Sequence, residues 1–244
     1  LEAKKSGCHC VKLQSWSPSS LYSENFFKKN PISKRFFEKY SLSEQKLKLL
    51  SKFAMSNKID FSSTPYSFRE VDFLIKECNP AFIKIASMDL NNEIFLDYIS
   101  KKSTYIILST GMGTENEIKK AVSILSKNKK NKITVLHCVS VYPAPKEIIN
   151  LNNIIGLKKK FPKLNIGYSD HTEGFEFAVG AISLGAKVVE KHFTLNKKQI
   201  GPDHKSSLEP NELKELVNGC NEVFYARSEK KKIHKEEHEI IKWA

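Results

Sequence analysis

YIILSTGMGTENEIKKAVSIL, residues 105–125, contains the unit from which the fold is read. Residues 105–109 are nearly continuously apolar and β-branched, as a strand buried on both faces of a parallel sheet must be. STGMG then breaks the run with hydroxyls and two glycines, a loop composition. Thr114-x-x-Glu117 matches a capping box, in which the hydroxyl accepts from the first helical turn and Glu reaches back. A segment of helical period follows, so the stretch reads strand, loop, helix.

The same unit repeats outward in both directions. Strands are expected at 10–14, 59–63, 82–86, 105–109, 133–137, 165–169 and 188–192. Ser67-x-x-Glu70 marks another capped helix start. Leu47, Leu50 and Ala54 form one helical face, and Ala178, Ile182 and Leu184 another. Seven βα repeats without a compositional break predict one α/β domain. Polar residues gather at the strands' C-terminal ends: Gln14, Thr64, Ser87, Ser109, Ser140 and His171. A (β/α)8 TIM barrel builds its site from many strand ends in this way. A doubly wound sheet would use one switch point and a Gly-rich phosphate turn, and neither GxGxxG nor GxxxxGK[ST] occurs. Residues 1–7 read as the end of a helix, so the barrel's first strand is expected to precede Leu1. The barrel is assigned to 1–226, and the charged stretch 227–244 to the start of a linker towards a further domain. Residues 15–41 form a long connection rich in Ser, Phe and Lys, either a lid or substrate wall or an excursion held by its own aromatics.

Composition removes several functional classes. The 244 residues are 40% hydrophobic and 27% charged, ordinary globular values that exclude a disordered chain or a fibre. No apolar run approaches a membrane span, and no signal peptide is visible at Leu1. The net charge is +13, yet only Arg35, Arg69 and Arg227 among the 40 basic residues are arginine. Nucleic-acid readers favour Arg in stripes with aromatics, so scattered lysines read as solvated faces whose field attracts a small anionic substrate. The five cysteines form no C-x-x-C pair, which fits a reducing cytoplasm. Cys8-x-Cys10 is taken as strand alternation leading into Val11.

GYSDHT (167–172) and VVEKHF (188–193) each follow or end a strand. Adjacent strands set His171 and His192 side by side, where two imidazoles could share a divalent ion with positions left for water and substrate. The alternative is two unrelated histidines that cap strands. Glu190, two residues before His192, shares its strand face; it could serve hydroxyls and protons, or pair with a barrel lysine. Lys12 and Lys84 each interrupt an apolar strand and require an anionic partner: a phosphate or carboxylate ligand, or a structural carboxylate. Ser109 and the glycines after it offer hydroxyls and free N–H groups before a helix, and Asp203 lies in a polar loop after the last strand.

These motifs together resemble the bacterial N-acetylneuraminate (sialic acid) synthase family, which includes legionaminate and pseudaminate synthases. The matching runs are VKLQSW (11–16), FSSTPYS (61–67), FIKIAS (82–87), LSTGMGT (108–114), LHCVSVYPAP (136–145), GYSDHTEG (167–174), VVEKHFTL (188–195) and GPDHKSSLEP (201–210). The resemblance implies condensation of phosphoenolpyruvate with an N-acetylated mannosamine-type sugar, giving a nine-carbon 2-keto acid and phosphate. It implies that His171 and His192 bind Mn2+, with Mg2+ or Co2+ as alternatives. Lys84, Ser109, Ser140, Tyr142 and Ser169 fall where the family binds phosphoenolpyruvate, with Thr64 and Ser87 nearby. Lys12, Glu190 and Asp203 fall where it holds the sugar or moves protons. Family members begin with a strand bearing a Glu and an Asn-His-Asn-Gly-like run, and continue into an antifreeze-like domain that reaches the partner's site in a swapped homodimer. GPDHKSSLEP is closer to the sialate and legionaminate branches than to the pseudaminate branch. Competing readings are another phosphoenolpyruvate-dependent keto-acid synthase, a non-catalytic sugar- or phosphate-binding barrel, and a nucleic-acid binder.

Overall fold

β1 (Cys10–Ser15), β2 (Asp60–Pro65), β3 (Ile83–Ile85), β4 (Tyr105–Ser109), β5 (Lys132–Cys138), β6 (Asn165–Asp170) and β7 (Val189–Lys191) form one sheet, parallel throughout and ordered as in the chain. The computed structural model describes residues 1–102, 104–227 and 235–243. Every expected strand is present, β4 with the expected bounds and the others with one or both ends moved by a residue or two. Cys8 is the exception to the strand reading: it precedes β1 and donates its N–H to Ala3.

Side chains on β1 and β7 give the sheet's shape. In a flat sheet six spacings of about 4.8 Å would hold these strands about 29 Å apart. Instead Lys12 Nζ of β1 lies 3.8 Å from Glu190 Oε2 of β7. The sheet is therefore curled, so that its first and last strands face each other. β1 and β7 share no ladder, and the closing strand of the expected (β/α)8 barrel is not among the described residues. What is observed is the seven-stranded, curled part of such a barrel.

Alternation along the strands separates two environments. Ile83 and Ile85 of β3 and Ile106 and Leu108 of β4 are fully buried in the outer core, against the helices. Lys84, between the two isoleucines, turns to the inside and meets Ser109. The covering helices include α1 (Glu2–Lys5), α5 (Glu44–Ser56), α6 (Phe68–Phe73), α7 (Glu93–Ser100), α8 (Glu115–Leu125), α9 (Asn152–Lys160), α10 (Glu176–Ser183) and α11 (Pro210–Ala226). Between β1 and α5 run α2 (Pro18–Leu21), α3 (Glu24–Lys29) and α4 (Pro31–Tyr40), pinned by ring contacts of Tyr22 with Phe26 at 4.3 Å and Trp16 with Phe37 at 5.5 Å. The connection at 15–41 is thus a helical excursion held by its own aromatics.

Two local expectations change. On α5 the buried stripe is Leu47, Ser51 and Ala54, while Leu50 is 40% exposed. Ser51 is tolerated inside because its hydroxyl donates to the Lys48 carbonyl at 2.9 Å. The capping box at Thr114 forms in full, Glu117 accepting from Thr114 N at 2.7 Å. At Ser67 the hydroxyl caps α6, but Glu70 reaches one residue further and accepts from Tyr66 N. α12 (Lys235–Ile241) lies in the stretch expected to begin a linker; 228–234 and 244 fall outside the described residues.

Candidate functional site

The inner face carries a charge cluster centred on Glu190. Its carboxylate lies 3.8 Å from Lys12 and 3.6 Å from Lys84, and accepts from Ser169 Oγ at 2.8 Å. Parallel register explains the last contact, since Ser169 is paired with Glu190 across β6 and β7. The two lysines thus converge on one carboxylate, and the trio keeps a surplus positive charge. Lys84 is 3% exposed and also donates to Ser109 Oγ at 2.7 Å and to the Ile85 carbonyl at 3.2 Å. Burial pushes its ammonium below the ordinary value, opposed by Glu190. Burial alone would raise the Glu190 carboxyl, but Lys12, Lys84, the Ser169 hydrogen bond and His192 together bring it down to about 2. Glu190 is therefore ionised at neutral pH, held by the two lysines and the Ser169 hydroxyl.

Ser87, Ser140 and Cys138 border the same space around Gly111. Gly111 N donates to Ser87 Oγ at 3.0 Å. A Cβ at Gly111 would lie 2.2 Å from Ser140 Oγ and 2.8 Å from Ser87 Oγ, so a side chain there would collide with both hydroxyls. The glycine permits this close approach of the two serines to the backbone.

The two histidines do come together. Their ring centroids are 5.4 Å apart, and Tyr142 packs on His171 at 4.1 Å and edge-on to His192 at 5.6 Å. His171 Nδ1 lies 2.7 Å from the Val139 carbonyl, which puts a proton on Nδ1, and Nε2 lies 3.3 Å from Ser169 Oγ. Burial lowers the ring's pKa, but Cys138 and that carbonyl outweigh it and hold it above the ordinary value. His192 Nδ1 faces the Asp203 carboxylate at 3.8 Å. Burial, against the pull of Asp203, brings His192 down to about 4, so it is neutral at pH 7 and can offer a lone pair. His171 is therefore backed by an oxygen acceptor on Nδ1, as metal-binding imidazoles are, while Asp203 faces His192 Nδ1 from beyond hydrogen-bond distance. Among the described residues no group of three or more His, Cys, Asp or Glu could hold a metal, so an ion here would take its remaining ligands from water or substrate. The donor set fits such an ion.

Of the residues singled out in the sequence, Lys12, Lys84, Ser109, Ser169 and Glu190 form one hydrogen-bonded and ionic group. Ser87 and Ser140 pack against Gly111, and Tyr142, His171, His192 and Asp203 form the second group. Thr64 is buried on the inner face, in register with Gln14, but among the described residues hydrogen-bonds to none of them. Sequence reading missed Asp89, which follows β3 on a short 3-10 turn. It is 8% exposed, Asn92 donates to one of its oxygens at 3.2 Å, and the other is buried without a hydrogen-bond partner among the described residues. A lone Asp after a three-residue strand carries no periodic signal.

A curled parallel sheet, with an imidazole pair just past two strand ends and two lysines converging on one carboxylate on its inner face, defines an α/β protein of the barrel type that gathers its polar groups from several strands. The chain belongs to the NeuB family, whose profile matches residues 1–232. It is similar to the crystal structure of an N-acetylneuraminic acid (sialic acid) synthetase from Leptospira borgpetersenii, with a TM-score of 0.90 and 32% identity over 99% of this chain and 82% of that one. It is 40% identical to an N,N'-diacetyllegionaminic acid synthase of Campylobacter jejuni, over 91% of this chain and 69% of the relative. An uncharacterized protein of Methanocaldococcus jannaschii is 43% identical, over 91% of this chain and 64% of the relative. The chain thus spans about two thirds of the length of these curated relatives.

Proposed function

We propose that this protein condenses phosphoenolpyruvate with an N-acetylated mannosamine-type sugar and water, giving a nine-carbon 2-keto acid and phosphate. The observation that carries this reading is the arrangement of two lysines around one carboxylate on the inner face, Lys12 at 3.8 Å and Lys84 at 3.6 Å from Glu190. A structural salt bridge needs one cation; the second leaves charge for an anion bearing phosphate and carboxylate groups. Lys84, Ser109, Ser140, Tyr142 and Ser169 would hold phosphoenolpyruvate, with Ser87 and Thr64 beside it. Lys12, Glu190 and Asp203 would orient the sugar hydroxyls. His171 and His192 would hold a divalent ion, Mn2+ in first place, which when bound supplies Lewis-acid polarisation of an aldehyde oxygen.

In this reaction C3 of the enol forms a bond to the sugar's aldehyde carbon. Water adds at C2, and the C2–O bond to phosphate breaks, so phosphate carries off the negative charge. The lysines stabilise that charge as it moves, in a site partly screened from water. A second product, of the N,N'-diacetyllegionaminic type, is favoured by the 40% identity to a synthase of that name. A homodimer and a reducing cytoplasm complete the proposal, the latter fitting five free cysteines. No helix among the described residues is long and apolar enough to cross a membrane.

The test is an assay of the intact protein with phosphoenolpyruvate, Mn2+ and N-acetylmannosamine, following phosphate and 2-keto acid together. Equimolar formation of both is expected. Tight binding of phosphoenolpyruvate without turnover of any acetamido sugar would support a non-catalytic binder instead.

A further inference from the structure

A second charged cluster lies on the opposite face of the two strands that carry the histidines. Asp170 and Lys191 are register partners in β6 and β7, and each immediately precedes a histidine, His171 and His192. Their side chains are 0% and 2% exposed, with Lys191 Nζ 3.1 Å from Asp170 Oδ2. Lys191 also donates to the Thr172 carbonyl at 2.6 Å, while Asp170 Oδ1 accepts from Thr172 N at 2.9 Å and Thr172 Oγ1 at 2.7 Å. The residues on both sides of His171 are thus tied together and to the residue before His192.

A buried ion pair is weak evidence for stability, because well-packed apolar residues often serve as well. A role in geometry fits this pair better, since metal–ligand distances hold only within about 0.2 Å. We propose that Asp170 and Lys191 are positioning residues that fix the separation of the His171 and His192 imidazoles, and so set the affinity for a divalent ion. This rests on the reading of the two histidines as its holders.

The experiment measures free Mn2+ by electron paramagnetic resonance as Mn2+ is added to the intact protein. The Asp170→Asn/Lys191→Met double variant removes both charges and keeps an oxygen able to accept from Thr172. It should keep its circular dichroism, its melting temperature and its phosphoenolpyruvate affinity, yet bind Mn2+ at least about tenfold more weakly. Should that variant fail to fold, Lys191→Arg, which keeps the charge but not the reach, should weaken Mn2+ binding in the same direction. Unchanged Mn2+ affinity in a folded variant would overturn the positioning role while leaving the metal reading intact. If His192→Gln binds Mn2+ as tightly as the unsubstituted protein, the metal reading itself falls, and the positioning role with it.

Discussion

Glu190 and Lys191 are neighbours on β7, paired across the ladder with Ser169 and Asp170, yet their surroundings differ in kind. On the outer face one cation meets one anion, both are buried, and Lys191 reaches Asp170 and a carbonyl at hydrogen-bond distance. On the inner face two cations share one anion at 3.6 and 3.8 Å, and Glu190 keeps about a fifth of its side chain exposed. A matched cluster of charges is finished as structure. An unmatched one, partly open and within reach of hydroxyls, is where the proposed function puts its ligand. On that proposal two faces of the same strands divide fold from function, and the division can be tested from either side.

The largest effect should come from the inner face. Excess chelator should lower turnover of the intact protein by at least about a hundredfold, with Mn2+ restoring it. Unchanged turnover in chelator would remove the imidazole pair from the site.

The outer face should dominate stability. Lys191→Met leaves Asp170 buried without its cation and should lower unfolding free energy by roughly 3–5 kcal/mol in denaturant titrations. Lys84→Met should lower it by less, because Glu190 retains Lys12 and Ser169. Equal losses would erase the distinction between the clusters.

The close approach of Ser87 and Ser140 to Gly111 offers a finer probe. In Gly111→Ala the new methyl would meet Ser140 Oγ at 2.2 Å and Ser87 Oγ at 2.8 Å. The hydroxyls must swing away, a strain of roughly 1–3 kcal/mol, and calorimetry should register it as weaker phosphoenolpyruvate binding. Retained affinity would place the phosphate elsewhere.

Asp89 should show the smallest effect. Burial raises its carboxyl above the ordinary 3.8, so its favourable contribution is full below that pH and lost as pH rises through the raised value. At pH 7 the buried carboxylate burdens the folded state. Asp89→Asn should therefore stabilise by about 1 kcal/mol at pH 7 and by almost nothing near pH 3. A gain that is independent of pH would contradict this account.

Much of this was legible in the sequence, because continuous apolar runs have few alternatives. Residues 105–109 read as a strand with the bounds that the structure gives, while β7 ends at Lys191, one residue short of His192. What escaped depends on contacts far apart in the chain. Nothing in the local pattern says that Lys12 and Lys84 share one carboxylate, since that requires the sheet to curl until β1 faces β7. The helices between Trp16 and Ser41 were hidden because their aromatics pack on one another and not on a common core face. Leu50 and Ser51 compete for one helical position, and only packing decides in favour of the serine.

The most direct measurement of the central claim is calorimetric binding of phosphoenolpyruvate to the intact protein and to two variants of equal net charge, Lys84→Met and Lys102→Met. Lys102 is paired with Asp72 on the outside of the molecule. Loss of one desolvated charge contact predicts at least about tenfold weaker binding for Lys84→Met, and no change for Lys102→Met. Equal affinities in both variants would show that the inner lysines serve the fold alone, and that the unmatched charge is not where the ligand binds.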